Sequence, residues 1–128
     1  MENKKVILFS QDSGLINLFL DFFQQGGVES YLFDKPFTEI NFTNSVAVID
    51  YDNEEGFDTS DFLSELVRHC GPGISVIALS KDCERRNISD VAKRGAARFI
   101  VKPLNKKRIK KFILPYVALP QVATEAVQ

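Results

Sequence analysis

Short apolar runs, alternating with stretches of helical periodicity, constrain this chain more than any other feature. Lys5–Phe9, Val28–Phe33, Val46–Ile49, Ile74–Leu79 and Ala97–Val101 are rich in β-branched residues and have the length of strands. Val46–Ile49 and Ile74–Leu79 are apolar throughout, as strands covered on both faces must be, whereas Val28–Phe33 alternates weakly and suits an edge. Leu15, Ile16, Leu18, Phe19, Phe22 and Phe23 read as a helix capped at Asp12 or Ser13 and stopped by Gly26-Gly27. Phe62, Leu63, Leu66, Val67 and Cys70 predict a second helix, capped by Ser60 and ended by Gly71-Pro72-Gly73. Ile88, Val91 and Ala92 mark the inner face of a polar helix ending at Gly95. Ile109, Phe112, Ile113, Tyr116 and Val117 form the stripe of a core-facing helix that Pro115 interrupts or ends.

Strands alternating with helices imply an α/β domain with a five-stranded parallel sheet, right-handed crossovers and helices on both faces. Only twelve residues separate Phe33 from Val46, so the helix between the second and third strands is short or missing. With 128 residues, 45% of them hydrophobic, the chain has the apolar content for one full core. The domain is expected to span residues 1–119, with 120–128 as a tail or linker. Cys70 and Cys83 are too few for a disulfide framework, and with His69 the only histidine the usual zinc ligand sets are absent. No apolar run approaches the roughly 20 residues needed to span a bilayer, and the start lacks a signal peptide's apolar core. A cytoplasmic location without membrane contact is expected.

Charge is unevenly placed. Residues 1–80 hold four basic and thirteen acidic groups, a balance of −9, and residues 81–128 hold twelve basic and four acidic groups, a balance of +8. Such asymmetry points to surfaces with different partners. The basic cluster Lys106, Lys107, Arg108, Lys110 and Lys111, with Arg94 and Arg98 before it, lacks an accompanying groove-reading element. An acidic protein partner is expected there rather than direct contact with nucleic acid. The acidic loop Asp52–Asp61 lacks an EF-hand's ligand pattern and reads as solvent-facing.

In open parallel sheets, chemistry collects beyond the carboxyl ends of the strands. Those ends here are Ser10-Gln11-Asp12, Asp50-Tyr51-Asp52, Ser80 and Lys102-Pro103. Clustered carboxylates call for a cation, and oxygen ligands with spare positions suit Mg²⁺. A carboxylate can attack phosphorus to give an acyl phosphate, with positive charge stabilising the phosphoryl oxygens.

The stretches Val-Ile-Leu-Phe-Ser-Gln-Asp, Val-Ala-Val-Ile-Asp-Tyr-Asp, Val-Ile-Ala-Leu-Ser-Lys and Ala-Arg-Phe-Ile-Val-Lys-Pro-Leu resemble the receiver domains of bacterial two-component response regulators, over about residues 4–117. The resemblance implies a flavodoxin-like, doubly wound sheet of order 2-1-3-4-5; a chemotaxis receiver is a standard instance of that order. It also implies Asp50 as phosphoryl acceptor and metal ligand, Asp12 as second member of the Mg²⁺-binding acidic pair, and the Asp52 backbone carbonyl as third protein ligand. Ser80 matches the switch hydroxyl, Lys102 the lysine and Phe99 the aromatic switch. The implied phosphodonor partner is a histidine kinase or phosphotransfer protein, and the only catalysis is self-phosphorylation.

Three positions depart from that pattern. Gln11 replaces the first acid and could meet a metal only weakly, through water. Asp52 adds a carboxylate where an apolar residue is usual, and Lys81, in place of a small residue, either restricts access or pairs with Asp52. The leading expectation is still a receiver that accepts phosphate on Asp50 and switches a partner-binding face; the alternative is a receiver-shaped interaction module indifferent to phosphorylation. A flavin enzyme of related fold needs a phosphate cradle after the first strand, where Ser10-Gln11-Asp12-Ser13-Gly14 offers an acid instead.

Overall fold

The computed structural model describes residues 3–52 and 58–118. Five strands, β1 (Lys5–Phe9), β2 (Val28–Tyr31), β3 (Ser45–Asp50), β4 (Val76–Ser80) and β5 (Arg98–Val101), form one parallel sheet of order β2-β1-β3-β4-β5. The helices are α1 (Ser13–Phe23), α2 (Thr59–Cys70), α3 (Arg85–Lys93), α4 (Lys106–Phe112) and α5 (Leu114–Val117). The expected fold class and strand order are observed. The expected tail and half of the acidic loop, residues 53–57 with Glu54 and Glu55, lie outside the described residues. No helix among the described residues is long and apolar enough to cross a membrane.

Strand periodicity divides the core into two layers. Val6, Leu8, Val46, Val48, Ile77 and Leu79 pack against Leu15 and Phe19 of α1, Ile109 of α4 and Val117 of α5. Their neighbours Ile7, Phe9, Ala47, Ile49 and Ala78 face Phe62, Leu63 and Leu66 of α2 and Val91 of α3. Each fully buried side chain of this size contributes about 1.5–3 kcal/mol relative to exposure.

No α-helix joins β2 to β3; the link holds a single 3₁₀ turn, Phe37–Glu39. Aromatic rings fill the space. Phe33, Phe37 and Phe9 each lie 5.0–5.1 Å from the Phe62 ring, and Phe37 and Phe42 both lie 5.5 Å from His69. His69 is on the surface, as expected, and also closes this cluster.

Three helix boundaries differ from the sequence reading: α1 ends at Phe23, with Gln24 at φ 65°, and Gly26-Gly27 fall in a separate 3₁₀ turn. Asp58, not Ser60, caps α2: its Oδ1 accepts from the amides of Ser60 and Asp61 and from the Ser60 hydroxyl. An Asp two residues upstream reaches the free amides that Ser60, itself in the first turn, cannot. The final helix divides at Ile113 rather than at Pro115, which becomes a first-turn residue of α5. Proline lacks the N–H that would bond four residues back, so the break falls before it. After α3, Gly95 takes φ +107°, and a Cβ there would lie 2.6 Å from Val67 Cγ1. Glycine alone permits both the conformation and this close approach of β5's lead-in to α2.

Candidate functional site

The carboxyl ends of β1, β3, β4 and β5 meet in a hydrogen-bonded charge cluster at the rim of an open cleft of about 800 Å³. β1 and β3 pair with a constant offset, Phe9 beside Ile49, which sets Ser10 beside Asp50. Ser10 is fully buried, and its hydroxyl donates to Asp50 Oδ2 at 2.8 Å while accepting from the Asp12 amide at 3.0 Å. Asp50, 4% exposed, accepts on Oδ1 from Lys102 Nζ at 2.7 Å and from the Asp52 amide at 3.2 Å.

Lys102 also lies 3.2 Å from Asp52 Oδ2, so one ammonium serves two carboxylates. Asp52 accepts in addition from the Ser80 hydroxyl at 2.7 Å and the Lys81 amide at 2.8 Å. Burial opposes the charge on both Asp52 and Lys102. The Ser80 and Lys81 hydrogen bonds and Lys102 outweigh it at Asp52, holding that carboxyl below its usual range. At Lys102, Asp50 and then Asp52 outweigh it and push the ammonium above its usual range. The Lys102–Pro103 peptide is cis.

The structure thus brings together Asp50, Asp52, Ser80 and Lys102. Phe99 sits half-buried on β5, packed into the core layer of α2 and α3. Gln11 and Asp12 line the cleft but do not join the cluster. The Asp12 carboxylate caps α1, accepting from the amides of Gly14 and Leu15 at 2.9 and 3.2 Å. At Asp52 the side chain, rather than the backbone carbonyl, enters the network. Lys81 meets Asp52 through its amide rather than its ammonium.

The expected Mg²⁺ ligands are Asp12, Asp50 and the Asp52 carbonyl, with Gln11 through water. Among the described residues, no group of three or more His, Cys, Asp or Glu side chains is disposed to hold a metal ion. Ser10 stands beside Asp50 where an acid would be needed, Asp12 Oδ1 is engaged in capping its helix, and Lys102 already sits between the two carboxylates. The residues present do not fit a bound Mg²⁺. Ser10 was missed by sequence reasoning; its signal was a polar residue continuing the β1 face of Val6 and Leu8.

On the α4 side, Arg98, Arg108 and Lys111 stand 5.2–5.4 Å from the Phe112 ring. Among the described residues, Arg98, Lys107, Arg108, Lys110 and Lys111 form no ion pair. Two expected members do not belong to this unpaired surface. Arg94 bonds to Asp90, Ser64 and the Ser60 carbonyl, joining α3 to α2, and Lys106 pairs with Asp21 of α1.

No family model matches the chain, and no curated protein matches it by sequence. Its fold does match solved structures. The chemotaxis response regulator CheY4 of Vibrio cholerae superposes with a TM-score of 0.73 at 15% identity, over 89% of this chain and 98% of that one. NtrX from Brucella abortus gives 0.72 at 17% identity, with 99% of this chain matched but only 30% of NtrX. Full-length FixJ from B. japonicum gives 0.67 at 18% identity, over 99% of this chain and 64% of FixJ. The chain therefore has the receiver-domain fold of response regulators.

Proposed function

We propose that this chain is a receiver-shaped protein-interaction module that works without phosphorylation of Asp50. The observation that supports it is how fully Asp50 is engaged: Ser10, Lys102 and the Asp52 amide take about three of its four acceptor positions, on both carboxylate oxygens. Phosphoryl transfer depends on positive charge placed at the phosphoryl oxygens. Here Lys102 is divided between two carboxylates, and among the described residues no group of three acids is disposed to add a cation.

The partner-binding surface is the unpaired basic face of α4 and β5, and the partner is an acidic protein in the cytoplasm. α4 spans only seven residues, about 10 Å. The strongly acidic half of the same small domain would repel an extended polyanion within the reach of a Debye length of about 10 Å, so a local acidic segment suits it better than nucleic acid. Chain immobilised and exposed to cell extract is expected to retain the same acidic proteins with and without acetyl phosphate and Mg²⁺. Lys107→Glu with Lys111→Glu is expected to release them. Retention that requires the phosphodonor, or survives the charge reversal, would contradict this reading.

A second reading keeps Asp50 as phosphoryl acceptor from a histidine kinase or phosphotransfer protein, with Lys102 and Ser80 at the phosphoryl group and Phe99 as switch. It is supported by the place of Asp50 and Lys102 together in the lining of an open cleft.

A further inference from the structure

Three donors of different kinds converge on the Asp52 carboxylate: the Ser80 hydroxyl at 2.7 Å, the Lys81 amide at 2.8 Å and the Lys102 ammonium at 3.2 Å. A hydroxyl, a backbone N–H and an ammonium aimed at one position are a set suited to an oxyanion, with each bond strengthened by its charge. Ser80 and Lys102 are also the groups that the resemblance to receiver domains would set at the oxygens of a phosphoryl group on Asp50. The anion present instead belongs to the chain itself. Tethered two residues from Asp50, it competes at an effective concentration that a free ligand does not reach.

The loop after β4 is built around this contact. Ser80 is 1% exposed, and while its hydroxyl donates to Asp52 it accepts from the Asp82 amide at 3.0 Å. The first residues beyond β4 are therefore fixed by the occupied site.

We propose that Ser80, Lys81 and Lys102 form an oxyanion cradle whose resident ligand is the Asp52 carboxylate. The chain then holds permanently the donor arrangement that a phosphoryl group would otherwise gather. This rests on the phosphorylation-independent reading and adds to it an occupant. Removing the Asp52 side chain opens the cradle to a free tetrahedral oxyanion, of which inorganic phosphate is the simplest.

The test is a titration of Asp52→Ala with inorganic phosphate at constant ionic strength, following the Lys81 amide resonance and the thermal midpoint. The variant is expected to show a saturable shift of that amide and a rise in midpoint, with neither in the wild-type chain. Adding Ser80→Ala is expected to weaken phosphate binding about tenfold, the loss of one charge-assisted hydrogen bond. Should Asp52→Ala alone fold poorly, Asp52→Ala with Asp50→Asn removes the remaining carboxylate beside Lys102 and is expected to bind phosphate more tightly. Equal saturable responses in wild type and variants, or none in either variant, would overturn the proposal. Those results do not depend on whether Asp50 can be phosphorylated, which a mass measurement of the wild-type chain reads separately.

Discussion

Lys102→Met is expected to destabilise the fold by about 3–5 kcal/mol, the range for stripping one partner from a buried ion pair. Methionine keeps the length of the aliphatic stem but removes the charge. The side chains of Asp50 and Asp52, 6% and 17% exposed, are then left beside each other without their ammonium. The loss should appear in urea denaturation at neutral pH and be largely reversed by adding Asp50→Asn. It should also shrink as pH falls through the carboxylate range, because protonation removes the charges that the lysine balanced. In the wild-type chain the sign is opposite. Asp52 is held below its ordinary value, so its contribution is present at neutral pH and lost as pH falls through the folded value. A variant as stable as wild type would mean that the cluster is solvated and the lysine is not its counterion.

Phe62→Ala is expected to cost a similar amount, about 3–5 kcal/mol, for a different reason. Phe62 is where α2 meets the link between β2 and β3. Phe9, Phe33 and Phe37 surround it, and together these rings cover a part of the sheet that a helix does not. Truncation leaves a cavity whose walls belong to a strand and a tethered link, neither of which can close it fully. Amides across residues 32–44 should exchange faster in the variant by more than the global loss explains. A cost below about 1 kcal/mol would show that the rings repack freely.

The fold was legible because its signals are local and repeated. Val46–Ile49 and Ile74–Leu79 could only be strands buried on two faces, and the stripes Leu15–Phe23 and Ile109–Val117 fixed helices to cover them. The gap between Phe33 and Val46 foretold the missing helix, but not that phenylalanines would replace it. Boundaries were less legible where two cappers competed: Asp58 and Ser60 lie two residues apart, and reach into the first turn decided between them.

At the site, Asp50, Ser80 and Lys102 were readable as strand-end residues, whereas their partners depended on register. The receiver resemblance set Asp12 beside Asp50 as its partner acid. Pairing of β1 with β3 placed Ser10 there instead and left Asp12 to start α1. Asp52 likewise looked like an addition at the pocket mouth, because nothing in the sequence reveals that its carboxylate turns toward Ser80, twenty-eight residues away.

The most direct measurement is the intact mass of the wild-type chain after incubation with acetyl phosphate and Mg²⁺, with Asp50→Asn treated in parallel. The expected result is no phosphoryl adduct on either protein, because Asp50 is already paired with Ser10 and Lys102 and, among the described residues, no three acids are grouped to hold the cation. A single base-labile phosphoryl group on the wild-type chain, absent from Asp50→Asn, would contradict phosphorylation independence and establish Asp50 as a working acceptor.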